Sequence, residues 1–194
     1  MLRRTVLALA LLVLAPIAGC KKQAELPELG RLDGFALTRE NGQRFGSAEL
    51  QGQVWVAAFM FTRCPTVCPR ITQRMRDIQQ KAKARGIPLT LVSFSVDPDN
   101  DTPEVLTRYA AAQNVDLANW RFLTGDYALL QKTAEQGFKL TFEGRADAAA
   151  EHYGITHGSH LVLVDTKLTI RGYYRSADDD QMAQLLEDAK RLTQ

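Results

Sequence analysis

The sequence predicts an α/β fold, a central mixed sheet flanked by helices with an N-terminal hairpin. Three observations carry this. An unbroken apolar run, Val54 to Phe61, suits a strand buried on both faces. An amphipathic pattern from Pro69 to Arg85 follows, with Ile71, Met75, Ile78 and Ala82 at helical spacing, and then a second strand pattern, Leu89 to Val96. Strand, helix and strand in this order imply a right-handed crossover and a parallel pair. Near the C-terminus, Leu161 to Val164 and Leu168 to Tyr174 flank Asp165-Thr166-Lys167 and read as an antiparallel hairpin, which makes the sheet mixed.

Taken in order, residues 1–19 are expected to be a signal peptide rather than fold. Arg3 and Arg4 are its basic region, and Thr5 to Ala15 is apolar but too short for a stable membrane anchor. Ile17-Ala18-Gly19-Cys20 resembles a bacterial lipobox, in which the cysteine is acylated and becomes the first mature residue. The chain is then an exported, membrane-anchored lipoprotein facing the periplasm or exterior. Residues 20–31 are polar and read as the lipid-anchored tether, and 32–194 as the folded domain. Phe35 to Thr38 and Arg44 to Phe45 surround Asn41-Gly42, a strong hairpin turn. The helix after Val54–Phe61 is expected to start at Pro69, with Cys68 as its cap, and to stop at Gly86.

Asp97-Pro98 ends the next strand, and Thr102-Pro103-Glu104 starts a helix running to about Gln113. Arg121 to Thr124 is a short strand and Asp126 to Gln136 a helix. Glu143 to Glu151 lacks apolar periodicity and reads as a surface loop. A last helix runs from Asp178 to about Leu192, burying Met182, Leu185, Leu186 and Ala189. The order of elements is compatible with a thioredoxin-like fold carrying an N-terminal hairpin and a central insertion.

Charge excludes one class of partner. The formal charge of +2 falls to zero once Arg3 and Arg4 are removed, leaving no basic stripe to follow a nucleic-acid backbone. No later stretch has the roughly 20 apolar residues of a spanning helix.

The chemistry gathers at Cys64-Pro65-Thr66-Val67-Cys68-Pro69. With Cys20 lipidated, Cys64 and Cys68 are the remaining pair in an oxidising compartment, where reduced thiols need a thiol reductant or a bound metal. A cysteine at a helix start has a lowered thiol pKa, and thiolate is the form that binds metal and attacks disulfides. Arg63 and Arg70 flank the loop. A purely structural disulfide is the alternative, but closing so small a loop removes little unfolded-state entropy. Asp97 is either a strand-end cap or a neighbour of this loop.

Three histidines occur. His152 adjoins the loop after Glu143, His160 abuts the strand from Leu161, and His157 lies just before it. On position alone His157 and His160 are equal candidates to face the cysteines. No proline occurs after Pro103, so the cis-proline that thioredoxin-like reductases place before this strand is missing. Two thiolates and one imidazole form a soft set suited to Cu(I), and with a further donor to Cu(II).

These pieces together resemble the Sco/SenC family of copper-binding assembly factors. The matching residues are Phe61-Thr62-Arg63-Cys64-Pro65-Thr66-Val67-Cys68-Pro69, Ser95-Val96-Asp97-Pro98 with Asp101-Thr102-Pro103, Leu123-Thr124-Gly125, and His157 with Leu161 to Asp165. The resemblance covers nearly all of 30–190. It implies a thioredoxin-like fold and copper held by Cys64, Cys68 and His157, with His157 selected over His160 by its spacing to Asp165. It also implies delivery to a cytochrome c oxidase subunit or another cuproprotein, in building the binuclear copper centre. Thr156 and Gly158 depart from the Asp and Ser that often flank the family's histidine. The rival function is a tethered thiol-disulfide oxidoreductase keeping partner cysteines reduced. A peroxiredoxin-type peroxidase fits less well, since Phe61 stands where its motif wants threonine.

Overall fold

The computed structural model describes residues 25–140 and 159–194. The strands are β1 (Gly30–Arg31), β2 (Ala36–Arg39), β3 (Arg44–Gly46), β4 (Trp55–Met60), β5 (Thr90–Ser95), β6 (Trp120–Thr124), β7 (His160–Val164) and β8 (Thr169–Arg175). The helices are α1 (Val67–Ala84), α2 (Pro103–Ala112), α3 (Tyr127–Lys132) and α4 (Asp179–Leu192). The strands form one mixed sheet in the order β1-β8-β7-β4-β5-β6-β2-β3. The signal segment, Cys20, and the stretch carrying Glu143–Glu151, His152 and His157 lie outside the described residues.

β4 is the middle of the sheet, and all six of its residues are buried. It runs parallel to β5 along its whole length and antiparallel to β7 over Trp55 to Ala57, so it has a neighbour on each edge. Trp55 and Phe59 meet Phe138 edge-on, and Phe59 stacks on Phe94 at 5.1 Å. Each such pair adds about 0.5–1.5 kcal/mol beyond its burial. The expected hairpin forms: β2 pairs with β3 around Gly42, whose φ of +81° suits glycine. β2 also pairs with β6, extending the sheet at that edge.

α1 lies between α2 and α4. Thr72 bonds the Tyr109 hydroxyl at 2.8 Å, and Gln79 donates to the Asp116 carbonyl at 2.7 Å. On the other side Arg74 pairs with Asp179 and Arg85 with Glu187. The helix starts behave as read for α2 and α4. Thr102 accepts from the Val105 amide with Pro103 at the first position, and Asp178 accepts from Asp180 and Gln181.

Two helix expectations are corrected. α1 starts at Val67, not Pro69, so Cys68 sits inside the first turn rather than capping it. Proline costs nothing there, because first-turn amides have no partner within the helix. The helix expected over Asp126–Gln136 is regular only to Lys132 and then widens over Thr133–Gly137. The Thr133 hydroxyl donates back to the Leu129 carbonyl at 2.7 Å, and the Phe138 amide reaches five residues back to Thr133. Such back-bonding loosens a helical ladder.

Candidate metal and redox site

The C-terminal end of β4 delivers the cysteine loop. The Cys64 amide donates to the Phe61 carbonyl at 3.3 Å, turning the chain sharply before α1. The Cys68 amide then points back and donates to the Cys64 sulfur at 3.4 Å. An amide that the helix leaves without an internal partner thus serves a thiol. Neither cysteine is in a disulfide. Cys64 is 8% exposed and Cys68 fully buried.

Their acidities diverge. Burial opposes ionisation of Cys64, but bonds from the amides of Cys68, Thr66 and Val67 and from the Cys68 thiol outweigh it, and the pKa falls below its ordinary value. Burial pushes the Cys68 thiol far up; a backbone hydrogen bond at Phe61 works against this, while the nearby Cys64 and Asp101 add to it. The thiol favoured by the helix start is therefore Cys64, not Cys68. The amides of a first turn point outward along the axis, so they reach the residue before the helix rather than one within it.

A polar brace supports the loop from β5 and the turn after it. Asp101 is fully buried and accepts from the Thr62 amide at 3.1 Å, the Thr62 hydroxyl, and the Ser95 hydroxyl at 2.6 Å. Burial raises the Asp101 pKa, against the opposing hydrogen bonds from Ser95 and Thr62. Asp97 stands beside the loop: it accepts from Arg63 at 2.9 Å and from the Asn100 side chain at 2.8 Å. The Asp97 amide donates to the Ser95 hydroxyl at 3.1 Å. Tyr109 closes the α2 side. Burial pushes its hydroxyl up to about 12, partly offset by the bond to Thr72, and the thiols add to the rise.

Sequence reasoning found the two cysteines and weighed Asp97, but missed Asp101, Thr62, Ser95 and Tyr109 as its supports. No local signal marks Asp101, because its burial and its partners Thr62 and Ser95 arise only in the folded sheet.

The histidines fall as follows. β7 runs antiparallel to β4 in the register Ala57↔Val162 and Trp55↔Val164. Its first residues therefore lie toward the end of β4 that feeds the cysteine loop. His160 is the first residue of β7, half-buried and paired with Arg175. Among the described residues no three metal-binding side chains converge. His157, two residues ahead of Ser159, falls outside them.

Fold and site define a thioredoxin-like protein with a two-thiol loop at the head of its first long helix. The model of the SCO1/SenC family matches residues 26–194, and the chain belongs to that family. It is similar to the crystal structure of a SCO1/SenC family lipoprotein from Bacillus anthracis, with 32% identity, a TM-score of 0.77, and 90% of this chain and 99% of that one covered. BsSco, a member of the Sco family of cytochrome c oxidase assembly proteins, aligns at 30% identity and a TM-score of 0.74, covering 87% and 99%. A Stutzerimonas stutzeri protein named for copper binding is 30% identical over 185 residues, covering 90% of this chain and 88% of that one.

Proposed function

We propose that this protein is a membrane-tethered copper chaperone that binds copper through Cys64, Cys68 and His157. Its recipient is the binuclear copper centre of cytochrome c oxidase or another cuproprotein, and its anchor is a lipid on Cys20. One observation carries the reading: two neighbouring thiols outside any disulfide, one on the loop and one in the first turn of α1, with Cys64 already favoured as thiolate by the amides of that turn. Thiolate is the ligand form, and a soft pair suits Cu(I). The strand following His157 begins at the end of the sheet that bears this loop. Relatives of this family named for copper binding and for oxidase assembly support the recipient and the cargo.

Copper titration of the reduced protein tests this. One-to-one binding is expected. His157→Ala should weaken Cu(II) binding more than Cu(I), because Cu(I) accepts two-coordinate thiolate ligation. His160→Ala silencing binding while His157→Ala leaves it intact would exchange the two histidines.

The unequal thiols favour a second activity at the same loop, thiol–disulfide exchange. The Cys64 thiolate attacks a partner disulfide, forming a mixed disulfide and expelling one partner thiolate. Cys68 loses its proton and attacks the Cys64 sulfur, releasing the second partner thiolate and leaving a Cys64–Cys68 disulfide. The partner gains two electrons, and a thiol reductant restores the pair. Rapid disulfide turnover without copper binding would make this the main function.

A further inference from the structure

The chain joins the domain at the end opposite the cysteines. α1 extends its 18 residues away from the cysteine loop, about 27 Å. α4 runs beside it in the same direction, since Arg74, midway along α1, pairs with Asp179 at the start of α4, and Arg85, just past the end of α1, pairs with Glu187 further along α4. Glu25 and Leu26 line a small surface pocket with Arg171, Arg191, Leu192 and Gln194, at the far end of α4.

From that point the chain is fastened. The Arg171 guanidinium donates to the Leu26 carbonyl and lies 3.8 Å from Glu28. Arg171 is itself only 12% exposed and held by Asp165 at 2.9 Å. The Leu29 amide donates to Ile170 and the Leu32 amide to Leu168, each at 2.9 Å. β1 pairs with β8 between them. The end of the stretch expected to be a tether is thus held against the sheet, and its last two residues, Gly30 and Arg31, are the outermost strand.

We propose that this fastened segment keeps the cysteine end of the domain turned away from the membrane that carries it, with the far end of α1 and α4 facing the lipid surface. The inference rests on acylation of Cys20. Five peptide steps separate Cys20 from Glu25, about 18 Å at full extension. That is less than the length of α1, so the domain cannot stand inverted on the bilayer with the cysteine loop beneath it. Were residues 26–32 loose, twelve steps would span about 43 Å, and either end could meet the lipid. A partner then meets Cys64 from the solvent side, with its acceptor group standing clear of the bilayer.

The test uses full-length acylated protein on phosphatidylethanolamine–phosphatidylglycerol vesicles carrying an acceptor dye on a fraction of the headgroups. In a Cys64→Ser, Cys68→Ser background, a donor dye is placed through Arg70→Cys near the cysteine end or Ala84→Cys at the far end, both exposed positions. Energy transfer should be several-fold stronger from position 84. A flexible Gly/Ser insertion of about ten residues after Ala24 should bring the two positions to similar transfer. Equal transfer without the insertion, from protein that cosediments with vesicles, overturns the orientation and leaves the acylation intact. Cosedimentation undiminished by Cys20→Ala overturns the acylation, and the inference with it.

Discussion

The loop from Phe61 to Thr66 and the first turn of α1 each contribute one thiol, and the two are opposites. Cys64 sits in the loop, largely buried but with a small exposed edge, and with helix amides directed at its sulfur. Cys68 sits in the helix, fully buried, its ionisation suppressed by the surrounding core. Four-residue spacing alone treats them as equals. What separates them is the point where the helix begins: a residue just ahead of it collects the unpaired amides, and a residue within it helps to supply them.

Removing either thiol should have the largest effect, because the comparison describes one site with two unequal halves. Cys64→Ala and Cys68→Ala should each weaken copper binding by more than the roughly 100-fold that loss of a ligand's outer partner costs. Competition titration with a chelator measures this. Tight binding that survives either change would make the two regions independent.

Asp101 is what holds the loop against the sheet, so its removal should blur the distinction by loosening the loop. Asp101→Ala orphans the Thr62 amide and two hydroxyls, a loss of about 3 kcal/mol. A domain of this size should then melt about 6–12 °C lower. Calorimetry of the reduced protein reads the shift, and an unchanged Tm would mean that the brace carries no weight.

The acidities can be compared directly by alkylation across pH with peptide mapping. Cys64, with its lowered pKa, is thiolate at lower pH and should label first. Cys68, with its raised pKa, should stay protonated to high pH. At neutral pH the rate ratio should be on the order of tenfold or more. Cys68 labelling first would reverse the comparison.

The smallest effect belongs to the α2 side. Tyr109→Phe removes the hydroxyl bonded to Thr72 and should cost about 1 kcal/mol in urea unfolding. Copper affinity should stay within about twofold, because the hydroxyl bonds Thr72. A larger loss of affinity would bring Tyr109 into the site.

Most of the fold was legible because its signals are local. Val54–Phe61 is apolar throughout and Thr102-Pro103-Glu104 is a helix start, and both emerge as read. The start of α1 was misplaced because a bias against helix before proline was applied to Cys68, where the first turn tolerates it. The end of α3 was misplaced because the widening over Thr133–Gly137 leaves no mark in the apolar periodicity. At the site the cysteines were legible from their spacing. Asp101 was not, because its partners Thr62 and Ser95 come from separate elements and meet only across the top of β4 and β5. The last stretch of the presumed tether, Leu29 to Arg31, carries no strand pattern of its own. It is ordered by bonds to β8, which lies some 140 residues later.

Cys68 is fully buried while Cys64 keeps a small exposed edge, and this difference sets a sequence of events as well as a geometry. In the proposed copper and disulfide exchange, an incoming ion or disulfide meets Cys64 before it involves Cys68, and a recipient draws on the same side. Arrival and departure then share one thiol, so a group that occupies Cys64 alone, even a small alkyl, should halt exchange in both directions while the inner thiol stays intact.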